Sequence, residues 1–350
     1  MCRFWPGGLR EVPLTTRMSQ VGEKSYMSVK IRIRTPEDYP AIAGVYNAAY
    51  PADTIQTNPA DLRHMDEAIG PKYHPRRAVI EYDGRIVGVC RSGIPPSIYH
   101  PQKFQIQIAV LPEFQRRGFG TLLLHDLFEA IEPYDPLVLR SSCCEDSTNS
   151  VGFLQHHGFR EEHRLWESHL DVMAFDLTPY EKARERVRDQ GIRIVPLSEL
   201  PQENDWEHKL YELIIHIQAD MPAPEPFVAY SFEEWQKFEF NRPSRKPDAF
   251  FIALDGDRFV GVSILMSDPS DAAQLNTDDT GVVRDYRHRG IALALKLHGI
   301  AYAKSHGYRK IRTMNESTNR AMLTINERLG FVKRPAWIAF VRDLTEASIR

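Results

Sequence analysis

Short apolar stretches alternate with turn residues along the chain, and they do so in the same order twice. Apolar residues flank Asp83-Gly84 on both sides, and they flank Asp255-Gly256 in the same way. An Asp-Gly pair between two apolar stretches is typical of a tight β-hairpin turn. The pattern therefore predicts two hairpins, which pair residues 77–82 with 85–90 and residues 250–254 with 258–266.

A strand and then an amphipathic helix are predicted after the first hairpin. Residues 104–110 are mostly apolar and predict the strand, and apolar residues then recur at every fourth position from Phe119 to Ile131. That period places them on one face of a helix, which we predict over residues 118–131. Each copy continues in the order strand, helix, strand, so the predicted fold class is α/β.

The two halves of the chain share this layout at a fixed distance. Gly158-Phe159 is matched by Gly330-Phe331, and 330 − 158 = 172. The stretch that follows Val110 is matched by the stretch that follows Val282, and 282 − 110 is again 172. A repeat at one fixed distance indicates two copies of the same domain.

The repeat and the length of 350 residues together predict two domains. We assign residues 29–176 to the N-terminal domain and residues 191–350 to the C-terminal domain. Residues 1–28 have no continuous apolar core, so we interpret them as a flexible tail and not as a signal peptide. Residues 177–190 are a predicted helical linker, which begins with a capping-box sequence at Thr178–Glu181.

Composition narrows the possible classes of function. The chain has 44 Lys and Arg against 47 Asp and Glu, a formal net charge of −3 that argues against a general affinity for nucleic acid. No apolar stretch approaches the length of a membrane span. The four cysteines, Cys2, Cys90, Cys143 and Cys144, lack metal-ligand spacing, so we expect no metal site. Unpaired cysteines also fit a reducing, cytoplasmic location.

The loop Gln115–Thr121 has the composition of a phosphate site. It lies between a predicted strand and a predicted helix, so its backbone N–H groups are helix N-terminal donors. Gly118 and Gly120 allow a ligand to approach the backbone closely. An ordinary strand-to-helix turn with surface arginines is the alternative. A dinucleotide-binding loop does not fit, because Leu123 stands where its third glycine is needed.

Three segments together carry a family signature. They are Val-x-Pro-x-x-Gln-Arg-Arg-Gly-x-Gly at Val110–Gly120, Thr-Gly-Val with Arg-x-Arg-Gly-Ile-Ala at Thr280–Ala292, and the segment Asn319–Phe331. They resemble the GNAT superfamily of acyl-CoA-dependent N-acyltransferases over about residues 29–345. The resemblance implies two tandem domains, each a mixed, mainly antiparallel twisted sheet flanked by helices, with acetyl-CoA as co-substrate. The residues implied to bind it are Val110, Gln115, Arg116, Arg117, Gly118, Phe119, Gly120, Thr121, Val282, Arg287, His288, Arg289, Gly290, Ile291, Ala292 and Asn319.

The chain departs from the family pattern at the residues that move protons. The family commonly has a tyrosine four residues before the Gly-Phe pair, but Leu154 and Asn326 stand there. On the strand before the loop, where the family often draws its base, the N-terminal copy has the apolar Ile106. The C-terminal copy has Asp278, which strand alternation places on the face of Val282. Asp278 is the candidate base, and a solvated carboxylate in a turn is the alternative.

Two further acidic residues are candidates for binding a cationic acceptor. Asp220 and Glu225 lie in the longer segment of the C-terminal copy, and in this family that segment covers the acceptor pocket. The counterpart in the N-terminal copy is Tyr50–Asp53, which is more aromatic and less acidic. For both segments an ordinary helix-ending loop is the alternative.

These features predict an acetyl-CoA-dependent N-acetyltransferase that acts on a primary amine of a small molecule or peptide by direct attack on the thioester. The C-terminal copy is the predicted place of reaction, because it has Asp278 and Asn319 where the N-terminal copy has Ile106 and Ser147. A non-catalytic module that binds or senses acyl-CoA is one alternative, because both copies lack the usual tyrosine. Reaction in the N-terminal copy with a substrate-supplied base is another. We expect a monomer or a homodimer.

Overall fold

A computed structural model describes residues 28–50, 57–200, 205–268 and 271–345. The predicted tail lies almost wholly outside the described residues. Within the described part of the chain, strands and helices alternate in an α/β fold, and the sheet is mixed and mainly antiparallel as predicted. No helix in that part is long and apolar enough to cross a membrane.

Thirteen strands are described. They are β1 (Val29–Ile33), β2 (Arg76–Tyr82), β3 (Arg85–Gly93), β4 (Lys103–Val110), β5 (Val138–Cys144), β6 (Arg160–Asp171), β7 (Ile192–Pro196), β8 (Arg245–Asp255), β9 (Arg258–Ser267), β10 (Gln274–Val282), β11 (Lys310–Glu316), β12 (Val332–Lys333) and β13 (Trp337–Asp343). The helices in the same ranges are α1 (Tyr39–Ala49), α2 (Pro59–Ala68), α3 (Phe119–Ile131), α4 (Thr148–His156), α5 (Glu181–Arg188), α6 (Trp206–Ala219), α7 (Phe232–Trp235), α8 (Ile291–Ser305) and α9 (Arg320–Arg328).

The repeat that the sequence predicts is present in the backbone. The predicted hairpins are β2 with β3 and β8 with β9. Arg116 and His288, which are 172 positions apart, have left-handed φ angles of 61° and 62°. Gly118 and Gly290, also 172 apart, have φ angles of 88° and 84°. The loops before α3 and α8 therefore have the same conformation.

In each copy one pair of parallel strands separates partway along. Strands β4 and β5 pair only over Lys103–Gln105, and β10 and β11 pair only over Gln274–Asn276. Beyond those short pairings the backbone N–H and C=O groups facing the gap have no ladder partner across it. A split between parallel strands, next to a glycine loop, leaves room for an extended ligand to bind edge-on.

The two copies exchange their last strands inside one continuous sheet. Its order is β1-β2-β3-β4-β5-β13-β6-β11-β10-β9-β8-β7, and β12 pairs with β6. Strand β13, from the end of the chain, therefore lies between β5 and β6. Asp343 faces Val138 and Asp171 faces Lys310, and 343 − 171 = 310 − 138 = 172. Since the two contacts are equivalent, the exchange is reciprocal.

Because of the exchange, each hydrophobic core also contains side chains from the other half of the chain. Ile338 and Phe340 of β13 are buried in the core of the N-terminal copy, together with residues of β2 to β5. Leu170 of β6 is buried in the core of the C-terminal copy, beside Leu297 of α8. The domain limits at 29–176 and 191–350 stay a prediction, and each of these ranges contributes a strand to the other's core.

The predicted linker contains a short turn and a helix that packs on the C-terminal copy. A 3₁₀ turn at Thr178–Tyr180 precedes α5. The predicted capping box is wrong, because the N–H of Thr178 donates to Asp176 Oδ1 at 2.9 Å and no side chain caps α5 at Tyr180. Val187 of α5 is buried beside Ile291 of α8. The linker helix is thus part of the C-terminal core.

Candidate active site

The loop before α3 presents backbone N–H groups to an open cleft. The first hydrogen bond inside α3 runs from Leu122 N–H to the Gly118 carbonyl, at 3.1 Å. The N–H groups at the start of the helix consequently have no acceptor within it. The side-chain amide of Gln115 donates to the Val110 carbonyl at 3.1 Å, which fixes the loop to the end of β4. This geometry suits a phosphate group, because unpaired donors and the helix dipole act together.

A cleft of about 560 Å³, which we call the loop cleft, lies beside this loop between the separating strands. Its lining comprises Tyr50, Ile106, Gln107, Ile108, Val110, Gln115, Arg116, Gly118, Gly120, Thr121, Ser141, Ser142, Cys143, Asn149, Ser150, Gly152, Phe153, Leu154, His156 and His157. A side chain at Gly120 would meet the Phe153 ring, since an added Cβ would lie 3.2 Å from it. The glycine therefore keeps this part of the cleft open.

Two residues predicted for the first loop do not line the cleft. Phe119 is buried in the core, in edge contact with Tyr82 and Phe114. The guanidinium of Arg117 lies 5.2 Å from the centre of the Phe114 ring. Both residues can contribute a backbone N–H to a ligand, but their side chains contact aromatic rings outside the cleft.

The second loop has the same backbone but a different charge environment. Arg287 takes the place of Gln115, and its Nε donates to the Val282 carbonyl at 3.1 Å. The same guanidinium also pairs with the carboxylate of Asp220, and so does Arg284. These pairs lower the pKa of Asp220, mainly through the hydrogen bond from Arg284. The carboxylate of Asp220 thus neutralises two arginines at the second loop.

The remaining residues predicted on the second loop make structural contacts. Arg289 donates to Gln190 of the linker at 2.9 Å, and Ile291 is buried in the core. Asn319 accepts a hydrogen bond from the Met322 N–H at 3.2 Å and so caps α9. His288, Gly290 and Ala292 continue the loop into α8. Acetyl-CoA binding at this loop stays a prediction.

Strand β10 contains a β-bulge at the candidate base. The pairing with β9 shifts register between Thr277 and Thr280. Asp278 lies in the bulge, is exposed, and approaches the Arg242 guanidinium at 3.4 Å. The expectation that Asp278 shares a face with Val282 assumed unbroken alternation, and the bulge removes that alternation. A catalytic role for Asp278 stays a prediction.

The neighbouring Asp279 lies in a polar cluster. Its carboxylate accepts a hydrogen bond from Gln218 Nε2 at 3.0 Å. Burial, followed by the charges of Asp278 and Glu239, raises the pKa of Asp279 to about 7. The Tyr230 hydroxyl donates to Glu239 at 2.6 Å. The side chains of this cluster are therefore bonded to one another beside β10.

A second cavity of about 570 Å³, which we call the interface cavity, adjoins the loop cleft. Residues of both copies line it: Tyr50, Thr57, Pro95, Ile98, Lys103, Phe104, Gln105, Gln107, Arg140, Ser141, Ser142, His163, Leu165, Glu167, Pro222, Ala223, Pro224, Met314, Glu316, Trp337 and Ala339. Four of these residues, Tyr50, Gln107, Ser141 and Ser142, also line the loop cleft. The two spaces therefore meet along β4 and β5.

The segment after α6 covers the N-terminal copy. Glu225 forms ion pairs with Lys103 at 2.7 Å and with Arg140 at 2.8 Å, and these hydrogen bonds, the one from Lys103 above all, lower the pKa of Glu225. The Val228 N–H donates to the Ser97 carbonyl at 2.8 Å. Glu225 therefore contacts the N-terminal copy and not its own, and its role in binding a cationic acceptor stays a prediction. The counterpart Tyr50–Asp53 is described only at Tyr50.

Three side chains with proton chemistry line the interface cavity. His163 Nε2 lies 2.9 Å from Glu316 Oε1, and burial raises the pKa of Glu316. The Tyr50 hydroxyl accepts a hydrogen bond from Gln107, and burial raises the pKa of Tyr50. The sequence did not single out His163 or Glu316, because the strand exchange brings them together. Tyr50 was noted only as part of a loop.

Comparison with known proteins decides the family. The model of the acetyltransferase (GNAT) domain matches residues 75–161, and that of the acetyltransferase (GNAT) family matches residues 210–331. N-alpha-acetyltransferase 30 of Schizosaccharomyces pombe is 30% identical over 135 residues, which cover 37% of this chain and 83% of that protein. The chain belongs to the GNAT acetyltransferase family. Mycothiol acetyltransferase of Geodermatophilus obscurus is 25% identical over 243 residues, 68% of this chain and 73% of that protein.

The tandem arrangement also has a structural parallel. A tandem GNAT protein from the clavulanic acid biosynthesis pathway superposes with a TM-score of 0.70 at 18% identity, covering 90% of this chain and 98% of that one. The chain is therefore a tandem GNAT acetyltransferase, and GNAT enzymes use acetyl-CoA. In such an enzyme Cys143 and Cys144 are poor nucleophiles, because burial raises the pKa of each thiol to about 12.

Proposed function

We propose that this GNAT enzyme transfers an acetyl group from acetyl-CoA to the primary amine of a small molecule or peptide, and that the N-terminal copy is the place of reaction. The supporting observation is that the loop cleft and the interface cavity share Tyr50, Gln107, Ser141 and Ser142. A donor in one space and an acceptor in the other would meet at these residues. Such convergence is what acyl transfer without a covalent enzyme intermediate requires.

The chain's own residues suit each part of this chemistry. The N–H groups at the start of α3 bind the pyrophosphate, and the unpaired backbone of β4 and β5 binds the pantetheine arm. Acetyl-CoA supplies a thioester whose carbonyl carbon the amine attacks directly. Tyr50 supplies a proton to the departing thiolate, because it lines both spaces and a tyrosine side chain is a protonated phenol at neutral pH. It would replace the tyrosine that is missing at Leu154.

The interface cavity favours an amine with an apolar body. Its lining includes apolar side chains from several elements, such as Ile98, Leu165 and Trp337. The cations Lys103 and Arg140 are neutralised by Glu225. A volume of about 570 Å³ holds a small molecule or the end of a peptide. The names of the two relatives point to mycothiol for one and to an α-amine for the other.

Thiol release from acetyl-CoA over a panel of amines and peptides tests the proposal. We expect turnover in the wild type, and we expect Gly120→Glu to lower kcat/KM at least 100-fold, because a carboxylate fills the cleft beside Phe153. Gly120→Ala is the control for added bulk alone. The matched Ala292→Glu in the second loop should leave kcat/KM within about threefold of the wild type, a change of under 1 kcal/mol.

Two results would contradict the proposal in different ways. Loss of turnover only in Ala292→Glu moves the reaction to the C-terminal copy. Tight binding of acetyl-CoA without transfer to any acceptor in the panel identifies a binding module. Thermal melting of each variant separates a blocked loop from an unfolded domain.

The C-terminal copy is the second candidate. A pKa of about 7 suits a general base, and Asp279 has that value beside the separation of β10 and β11. Asp278 is its exposed neighbour. If the reaction takes place in this copy, Asp279→Asn or Asp278→Asn lowers kcat while Gly120→Glu has no effect.

A further inference from the structure

We infer that Glu316, supplied by the C-terminal copy, is the base that deprotonates the acceptor amine in the N-terminal copy, with His163 as its positioning partner. This rests on the proposed function. Glu316 ends β11 and His163 lies on β6, so strand pairing brings them together. Both line the interface cavity, which shares four lining residues with the loop cleft. The active site would then consist of residues from both copies.

His163 holds the Glu316 carboxylate at the wall of the interface cavity. Glu316 Oε1 lies 2.9 Å from His163 Nε2, and the backbone N–H of Ser317 also interacts with the Glu316 carboxylate. The side chain is 13% exposed, and that exposure is to the cavity. Glu162 Oε2 lies 3.7 Å from His163 Nδ1, on the far side of the ring. The imidazole thus fixes one oxygen of a carboxylate that lines the acceptor space.

The electrostatic surroundings favour proton acceptance by Glu316. Burial is the largest effect on the carboxyl group and raises its pKa, the charge of Glu162 raises it further, and His163 and the Ser317 N–H lower it. Charged groups on the other elements around the cavity are already paired. Arg140 on β5 pairs with Glu162, Lys103 on β4 pairs with Glu225, and Glu167 on β6 pairs with Arg312.

The proton and electron movements balance. Glu316 takes one proton from the ammonium form of the acceptor and releases it to water. The nitrogen lone pair then forms the C–N bond, while the C–S bond breaks and its electron pair leaves on sulfur. Tyr50 gives its proton to the thiolate, and the second proton lost by the nitrogen restores Tyr50 through solvent. The products are an N-acetyl amine, the thiol and one released proton.

Glu316 and the equivalent residue of the N-terminal copy differ in chemistry. Its equivalent in the N-terminal copy is Cys144, since 316 − 172 = 144. Cys144 is buried, and burial raises the pKa of its thiol to about 12. The two copies therefore differ in chemistry at the end of β5 and β11, and only β11 presents a carboxylate to the interface cavity.

Steady-state kinetics with acetyl-CoA and the best acceptor test the inference. We expect Glu316→Gln to lower kcat about 100- to 10,000-fold, as loss of a general base does, with the KM for acetyl-CoA unchanged. Added formate should restore part of the turnover of Glu316→Ala. Glu327→Gln, on the exposed face of α9, is the control and should match the wild type.

His163→Gln has a different expected signature. Because His163 lowers the pKa of Glu316, its loss should move the acid limb of the kcat profile to higher pH and reduce kcat by less than Glu316→Gln does. Absence of turnover in the wild type would overturn the proposed function. Wild-type turnover with an unchanged kcat and pH profile in Glu316→Gln would overturn only the role of Glu316.

Discussion

The N-terminal and C-terminal copies present the same loop conformation to different surroundings. Arg116 and His288 have left-handed φ angles of 61° and 62°. Beside the first loop lies a cleft that continues into a second cavity. Beside the second, Asp220 pairs with Arg284 and Arg287. Two loops with the same backbone conformation can therefore differ in how well they bind an anionic ligand. The reason is that side chains outside the loop change the local charge.

Under the proposed function, the strand exchange gives this difference a consequence. Strand β13 completes the N-terminal sheet, and β6 completes the C-terminal sheet. The C-terminal copy also supplies Met314 and Glu316 to the interface cavity. If the reaction takes place in the N-terminal copy as proposed, the C-terminal copy is necessary as a wall of that site.

Removing a core side chain of the exchanged strand gives the largest expected effect. Phe340 of β13 is 1% exposed and lies in the core of the N-terminal copy. We expect Phe340→Ala to lower the free energy of unfolding by about 3–5 kcal/mol. Hydrogen exchange should lose protection in β2 to β4, although the substitution lies 10 residues from the end of the chain.

The matched substitution in the other direction is Leu170→Ala. Leu170 lies in the N-terminal half of the sequence but in the core of the C-terminal copy. Protection should then fall in α8 and in β10 and β11. If each substitution instead weakens the half of the chain in which it is encoded, the strands are not exchanged in solution.

Replacing a buried lysine should stabilise the C-terminal copy. Lys296 of α8 is 5% exposed and faces Phe331, and burial lowers its pKa to about 8. The equivalent residue of the other copy is Leu124, since 296 − 172 = 124. A pKa lowered from 10.5 to about 8 corresponds to about 3 kcal/mol at neutral pH. We expect Lys296→Leu to recover most of it in chemical denaturation at pH 7.

The pH dependence gives an independent check of Lys296. The folded protein releases this proton at lower pH than the unfolded chain does, so stability should rise as pH increases from about 8 to 10.5 and stay flat with respect to this group below 8. Lys296→Leu should lack that rise. An identical rise in both proteins would mean that another group is responsible.

Sequence analysis could predict the parts of the molecule that are local. The hairpins, the two loops and helix α3 follow from spacing and glycine positions, and the structure confirms them. The bulge at Asp278 and the crossing of Glu225 to the other copy depend on pairing between distant strands, which one sequence does not specify. His163 and Glu316 meet for the same reason, since pairing of β6 with β11 brings together residues that are 316 − 163 = 153 positions apart.

Removing the Asp220 carboxylate, which pairs with two arginines at the second loop, should reduce the difference in acetyl-CoA binding between the two copies. We expect the wild type to bind one acetyl-CoA tightly in calorimetry, and Asp220→Ala to tighten a second, weaker site about tenfold, or 1.4 kcal/mol. The reason is that Arg284 and Arg287 lose their internal partner. Asp257→Ala, in the β8–β9 turn of the same copy, is the control. Equal titrations of the wild type and Asp220→Ala would show that Asp220 does not limit this loop.

The smallest expected effect concerns the cover of the interface cavity. Glu225 holds Pro222–Pro224 over the cavity through Lys103 and Arg140. Since Glu225 does not reach the reacting atoms, we expect Glu225→Gln to raise the KM for the amine about threefold, under 1 kcal/mol, with kcat and the KM for acetyl-CoA unchanged.

The control for Glu225 is Glu113→Gln, which breaks an exposed ion pair with Arg85 away from the cavity and should change neither constant. The pairs with Lys103 and Arg140 lower the pKa of Glu225, so the cover should stay closed through mildly acidic pH and loosen only as pH falls through that lowered value. A fall in kcat with no change in the KM for the amine would contradict this prediction. Glu225 would then act on the reaction itself and not only as part of the segment that covers the cavity.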